Sequence, residues 1–345
     1  MRIGINSMIA RRGMSGSGVG LQAIENALQQ HQKIPLNPGQ PSGSRVRNLA
    51  SMLRWEALGL DRTARNAGCD IVVNPANTGV VRGLPSITVM HDTMVLDHWR
   101  LFDFGYVIFA KMLFSLSAKN STVVVTPSEH SKRQITRRWP HLDVRVIPWP
   151  TFRARASAPR SAPGSNEIVL IASCDKHKRI PMAIRSVDRA RRLADGHLRL
   201  TIVGKSGNDV EAITQAISEV DGGWLTWIKT GVPQKDLDTL ISEAFCVLST
   251  SLDEGFCLPL LEAGSAGVPV VHTGRGAMPE VVGQSPLGDQ AGTEEDQIAL
   301  RLVALLDRPT WAGAARRAHH ETQRFSPSVF ESQWGALLNE VATRA

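Results

Sequence analysis

Two glutamates, Glu254 and Glu262, frame the stretch Asp253-Glu254-Gly255-Phe256-Cys257-Leu258-Pro259-Leu260-Leu261-Glu262. Pro259 suits the first turn of a helix, where its missing N–H is not needed. That places Glu262 in the first turns of a helix and leaves Glu254 on the loop before it. Between them, the backbone amides of Gly255, Phe256, Cys257 and Leu258 can point at an anion, and the helix dipole adds positive potential there. A carboxylate accepts two hydrogen bonds in a fixed plane and so suits hydroxyl groups. Acceptors for hydroxyls at both ends and an anion cradle between them fit a nucleoside diphosphate sugar. A helix cap beside a solvated charge fits the same spacing.

The flanks narrow the choice. A buried-strand pattern, Phe245-Cys246-Val247-Leu248-Ser249-Thr250, precedes the stretch. Gly267-Val268-Pro269-Val270-Val271 and then Pro279-Glu280-Val281-Val282-Gly283 come after it. With these motifs the sequence resembles the retaining glycosyltransferases of family four, which have the GT-B fold. The resemblance is strong over residues 166–285 and looser before them. It implies an NDP-sugar donor, no bound metal, no cofactor, and an acceptor that is a saccharide or a lipid-linked saccharide. It leans toward bacterial mannosyl- and rhamnosyltransferases of polysaccharide synthesis, with GDP-mannose as the first donor to try.

The resemblance also assigns roles. Glu262 holds the ribose hydroxyls, and Lys178 with the amides of Gly255–Leu258 neutralises the diphosphate. Glu254 contacts hydroxyls of the donor sugar. The loop at Gly231 passes the base, and Gly18 lies in the glycine-rich stretch Gly13–Gly20 that borders donor and acceptor. His91, in Thr88-Val89-Met90-His91-Asp92-Thr93, stands beside the transferred sugar, with Asp92 to orient it or to cap the next turn. Two departures stand out. No arginine occurs between Ile171 and Lys178, where a second phosphate contact is usual, and Ala172 stands where glycine is typical. Lys176, His177 or Arg179 are the candidate replacements; a solvated basic turn is the alternative. Lys205 reaches either the nucleotide or solvent. A zinc reading of His91, Asp97 and His98 lacks a supporting ligand spacing.

The elements that must hold these residues are short β-branched runs alternating with amphipathic stretches. Strands are predicted at Arg2–Asn6, Cys69–Asn74, Ser86–His91, Thr122–Thr126 and Val144–Pro148. Others are predicted at Glu167–Ser173, Arg199–Gly204, Leu225–Lys229, Cys246–Thr250 and Pro269–His272. Helices are predicted at Ile180–Leu193, Asp209–Val220 and Gln234–Glu243, with Ser128 capping another. Continuous apolar strands with helical crossovers mean parallel α/β sheets covered on both faces. The expected fold class is α/β, with two Rossmann-like, doubly wound domains facing a cleft where ligands bind beyond the strand ends. The expected division is an acceptor domain at 1–150 and a linker at 151–165. A nucleotide-sugar domain at 166–326 comes next, then a helix at 327–345 crossing back to the first domain. Pro35–Arg47 reads as a mobile surface loop, or else as a loop that orders over an acceptor. Phe102–Leu116 reads as a core helix, or else as an interfacial helix meeting a lipid-linked acceptor.

A chain of 345 residues with 42% apolar content is long enough for two cores and rules out global disorder. The net charge of +7 is spread along the chain without a zinc-finger, basic-zipper or RNA-binding pattern. Anionic lipid is therefore the expected partner of the charge, and nucleic acid is not. Four cysteines without paired spacing read as core residues of a reducing compartment. No apolar run reaches the ~20 residues that span a bilayer. The expected location is the cytoplasm, peripheral to the inner face of the membrane. A sugar-nucleotide epimerase of the same fold, a phosphorylase, and a non-catalytic nucleotide-sugar-binding protein are the rival readings.

Overall fold

The computed structural model describes residues 1–8, 16–37, 51–152, 156–205, 207–284 and 292–344. Gly13–Ser15 of the glycine-rich stretch, 38–47 of the proline-rich stretch and 153–155 of the linker lie outside them. The chain divides into two compact units, Met1–Pro150 with Phe325–Ala345, and Thr151–Arg324.

The first unit is built on a parallel sheet of six strands. They are β1 (Arg2–Asn6), β2 (Gln32–Leu36), β3 (Ile71–Asn74), β4 (Ser86–Val89), β5 (Val123–Thr126) and β6 (Val144–Val146). Their order across the sheet is β2-β1-β3-β4-β5-β6. β3, β4 and β5 are buried at every position, as strands covered on both faces must be. β2 is the one described strand that the sequence pattern does not predict. It carries Pro35, which cannot donate to a ladder, and so it sits at the sheet edge.

The final helix, Pro327–Thr343, belongs to this unit. Ser326 caps it by accepting from Val329 N at 3.2 Å. It buries Phe330, Trp334, Leu337, Leu338 and Val341 and packs on the first helix, Gly16–Ala27. Its far end is tied to the end of the sheet by Arg145–Glu340 and Arg344–Asp143, each at 2.9 Å. The hydroxyl of Ser128 accepts from Ser131 N at 3.0 Å and caps Glu129–Arg138.

The second unit has five parallel strands. They are β7 (Glu167–Ile171), β8 (Arg199–Val203), β9 (Leu225–Ile228), β10 (Cys246–Ser249) and β11 (Val270–His272), in the order β11-β10-β7-β8-β9. The chain runs outward from β7 to β9, then returns to the other side of β7 for β10 and β11. The order reverses between β7 and β10, which makes their carboxyl ends the switch point where ligands of such sheets bind. Helices Ile180–Leu193 and Gln234–Glu243 coincide with the predicted spans. The core gathers Ile168, Leu170, Ile184, Leu200 and Ile202 around Trp311, whose indole N–H donates to Phe245 O at 2.7 Å.

Candidate functional site

Lys178 follows β7 and Glu254 follows β10, so both stand at the switch point of the second unit. Their side chains meet: Lys178 Nζ lies 2.7 Å from Glu254 Oε1. The same oxygen accepts from Ser251 Oγ at 2.6 Å, and Ser249 Oγ lies 3.3 Å behind Ser251 Oγ. The pair is 17% and 12% exposed, so it is largely desolvated. Removing one partner from a fully buried pair costs about 3–5 kcal/mol; here Ser251 and residual solvent reduce that figure.

The loop carrying Glu254 is fixed from several sides. Asp253 is buried and its Oδ1 accepts from Glu254 N at 2.9 Å. Leu252 N donates to His177 O at 2.7 Å, which joins the two loops of the switch point. The loop after β11 presses on it from the far side. Ala277 N donates to Glu254 O at 2.9 Å, and Thr273 Oγ1 donates to Ser251 O at 2.9 Å. Gly276 is required there: its φ is +63°, and a Cβ would lie 2.4 Å from Glu254 N.

Four residues beyond Glu254 the chain enters the helix Leu258–Ser265. Cys257 precedes it with φ 72°, a left-handed conformation that costs a non-glycine residue on the order of 1 kcal/mol. No side chain caps this helix, and Pro259 fills its first turn. Pro259 has no N–H, and Leu260 N and Leu261 N turn back to Cys257 O at 3.2 and 3.4 Å, so Leu258 carries the leading amide. Gly255, Phe256 and Cys257 are buried, and Leu258 and Glu262 are half-buried, with Glu262 in the second turn. Burial pushes the Cys257 thiol up to about 12, so no thiolate competes with an anion there.

The basic turn after β7 is only partly available. Arg179 has φ 50° and opens the next helix. Its Nε donates to Thr250 O at 2.8 Å and one terminal nitrogen contacts Glu294 at 2.6 Å. Arg179 is thus engaged in holding β10 and the helix Glu294–Ala304. Burial first, and the Lys178 charge second, push His177 down to about 4, so its imidazole is neutral at pH 7. Lys176 N and Asn208 Oδ1 are hydrogen-bonded at 2.9 Å, and Lys205 is exposed. At Gly231, beyond β9, the nearest neighbour a Cβ would meet is Lys205 Nζ at 3.6 Å.

In the first unit, Gly18 lies in the opening turns of the helix Gly16–Ala27. His91 follows β4 and is held from several directions. Its N–H donates to Asn77 Oδ1 at 2.7 Å, and its carbonyl accepts from Ser131 Oγ at 3.0 Å. Its Nε2 lies 3.1 Å from Pro75 O, and its ring stacks on Trp149 with centroids 5.5 Å apart. Burial lowers its pKa below the ordinary histidine value, against an opposing contribution from the Pro75 carbonyl. Asp92 Oδ1 accepts from Met94 N at 3.0 Å and so caps the next turn. Asp97 pairs with Arg138 at 2.9 Å, and among the described residues no three His, Cys, Asp or Glu side chains gather for a metal.

The structure therefore brings Lys178, Glu254, Cys257 and Glu262 to one end of the second sheet, and places Gly18 and His91 in the first unit. Ser251, Asp253, Gly276 and Trp149 are contacts that the spacing did not assign. The hydroxyl run Ser249-Thr250-Ser251 at the end of β10 was the available signal for the first of them.

Comparison with known proteins bears on the fold and on the class of enzyme. Residues 153–303 match the family described as glycosyl transferases group 1, a span that holds Lys178, Glu254 and Glu262. The MMP alpha-(1->4)-mannosyltransferase of Mycolicibacterium hassiacum is 31% identical over 180 residues, covering 51% of this chain and 42% of that protein. The O-antigen chain mannosyltransferase B of Escherichia coli is 35% identical over 105 residues, 30% of this chain and 27% of its own length. The chain thus spans less than half the length of these two relatives. Among solved structures, Anabaena HepE in complex with UDP and glucose superposes with a TM-score of 0.73 at 16% identity, covering 99% of this chain and 100% of that one. Sucrose-phosphate synthase from Thermosynechococcus elongatus gives 0.75 at 15% identity, with both chains fully covered. The fold is GT-B, with two Rossmann-like parallel-sheet units. The matched family and the mannosyltransferase relatives support a glycosyltransferase enzyme.

Proposed function

We propose that this chain transfers a hexosyl group from a nucleoside diphosphate sugar to an acceptor hydroxyl, with retention at the anomeric carbon. The observation that carries the reading is the Lys178–Glu254 pair at the β7/β10 switch point, beside the uncapped helix Leu258–Ser265. Without donor, the ammonium and carboxylate neutralise one another. With donor, the ammonium turns to the diphosphate and the carboxylate accepts sugar hydroxyls, so each charge exchanges one partner for another. The ammonium and the leading helix amide then stabilise the charge that grows on the departing diphosphate. Glu262 accepts from the ribose hydroxyls, and the loop at Gly231 passes the base. Gly18 borders the substrates. His91, kept neutral by burial, accepts from a hydroxyl of the transferred sugar. The first unit presents the acceptor, a saccharide or a lipid-linked saccharide of bacterial polysaccharide synthesis. The mannosyltransferase relatives make GDP-mannose the first donor to try.

The test is release of nucleoside diphosphate from GDP-mannose, UDP-glucose and dTDP-rhamnose, with and without saccharide acceptors. Acceptor-dependent release with a product that keeps the anomeric configuration of its donor supports transfer with retention. Interconversion of the sugar nucleotide without acceptor supports the epimerase, and binding without turnover supports the non-catalytic protein.

The same reading sets the first unit against an anionic membrane. No described helix is long and apolar enough to cross one. The helix Phe104–Asn120 instead turns Phe104, Ile108 and Met112 outward, 69%, 55% and 46% exposed, as one row at four-residue spacing. Nearby, Arg100 lies over the exposed Trp99 at 5.1 Å. From Trp99 to Arg138 seven basic residues face two acidic ones, a net +5 out of the chain's +7. An exposed apolar row on a segment of net positive charge suits insertion at an anionic interface. The full chain is expected to sediment with vesicles containing phosphatidylglycerol and not with pure phosphatidylcholine. Phe104→Ser with Ile108→Ser weakens that binding roughly tenfold or more, since each side chain buries about 1.5–3 kcal/mol of apolar surface. Equal sedimentation of parent and variant contradicts the membrane contact.

A further inference from the structure

This inference rests on the reading of His91 as a group that meets substrate. A carbonyl oxygen only accepts hydrogen bonds, so the 3.1 Å contact with Pro75 O requires the proton of a neutral His91 ring to be on Nε2. Nδ1 is then the ring nitrogen with the lone pair. One hydrogen bond of this kind leaves the ring free to rock about its axis; a flat neighbour against its face removes that freedom.

Trp149 is that neighbour. It is 4% exposed and stacks on the imidazole at an interplanar angle of 26°. The indole is itself wedged. Behind it stands Phe330 of the final helix, with centroids 5.8 Å apart. Gly20 of the first helix meets it edge-on: a Cβ there would lie 2.9 Å from Trp149 Cη2. Pro148 and Pro150 flank it in sequence and restrict the backbone that carries it. Neither Trp149 nor Gly20 carries a group that could react, so packing is what they offer the ring.

We propose that Trp149 is a positioning residue: wedged between Gly20 and Phe330, it clamps the His91 imidazole against Pro75 O and presents Nδ1 as the acceptor of a substrate hydroxyl. The substrate class follows from the tautomer. The group opposite Nδ1 must be a donor, a sugar hydroxyl and not an ether or a carbonyl oxygen.

Imidazole nitrogen shifts in protein labelled at histidine test this directly, with His91→Gln to assign the signals. The parent is expected to show Nε2 protonated and Nδ1 bare. In Trp149→Ala the two tautomers mix, and kcat falls by about tenfold while the donor KM is unchanged. Trp149→Phe keeps the flat face and with it the parental pattern. Should Trp149→Ala fail to fold, Gly20→Ala displaces the indole by another route and gives the same mixing. A parent protonated on Nδ1, or a folded Trp149→Ala or Gly20→Ala with parental shifts, overturns the clamp. Mixed tautomers with undiminished kcat leave the clamp standing and overturn the role of His91.

Discussion

The two units answer the same topological problem with different chemistry. Both reverse strand order next to their first strand, between β1 and β3 in one unit and between β7 and β10 in the other. At the β7/β10 point the side chains are ions: Lys178 against Glu254, with Arg179 against Glu294 behind. At the β1/β3 point amides surround one buried carboxylate, Glu56, whose Oε1 lies 3.5 Å from Asn6 Nδ2. Asn6 Nδ2 lies 3.4 Å from Asn74 Oδ1, and Asn74 Nδ2 donates to Thr88 Oγ1 at 3.1 Å. Nearby, His91 is tied by a carbonyl and an indole. On the proposed reading, Lys178 of the second unit meets the charge of a diphosphate, and neutral His91 of the first accepts from a hydroxyl. The fold supplies the place, and the residues after each strand supply the function.

That contrast can be broken by substitution. Lys178→Ala removes transition-state charge stabilisation and is expected to lower kcat roughly 10²–10³-fold. His91→Ala removes one neutral hydrogen bond and is expected to cost only about tenfold. Steady-state kinetics on both variants decide it; an equal loss would show that the units are not divided into charged and neutral roles. Next in size, Glu262→Ala is expected to weaken binding of a nucleoside diphosphate about tenfold to a hundredfold, the worth of hydrogen bonds to a charged group. Titration calorimetry without acceptor reads this, and an unchanged affinity would remove Glu262 from the ribose.

A last effect concerns stability rather than activity and confines itself to the second unit. His177 and His272 are both held near 4, far below the ordinary 6.5, chiefly by burial. His272 shows why: its Nδ1 accepts from Gly274 N at 3.0 Å, so a proton there has no room. The unfolded chain binds these protons first. Folding stability is therefore complete above pH 6.5 and falls as pH drops toward 4, by at most roughly 3 kcal/mol for each imidazole. Melting temperatures between pH 7 and pH 4.5 should show this slope, and His272→Asn should flatten it. A variant with the parental slope would contradict the assignment.

Much of the fold was legible in the residues alone. Ten strands and the helices Ile180–Leu193 and Gln234–Glu243 follow from apolar runs and their period, because buried parallel strands and amphipathic crossovers leave a local trace. β2 left none, since Pro35 and the following Pro38 and Pro41 look like a loop, and only its place at the edge lets proline enter a strand. The outward row of Phe104, Ile108 and Met112 was likewise hidden. The helix is apolar nearly all round, and period alone does not say which side is covered. Within the site, Glu254 and Glu262 announce themselves as neighbours on one segment. The pairing of Lys178 with Glu254 spans 76 residues and is visible only once β7 and β10 lie side by side. Arg179 was a candidate phosphate contact by position; its bonds to Thr250 O and Glu294 depend on elements far along the chain.

A crystal structure of the full chain soaked with GDP or UDP tests the central claim most directly. The diphosphate is expected against Lys178 Nζ and the leading amide of Leu258–Ser265, with the Lys178–Glu254 contact opened and the ribose on Glu262. A nucleotide bound elsewhere, or one that leaves Lys178 on Glu254, would contradict the account.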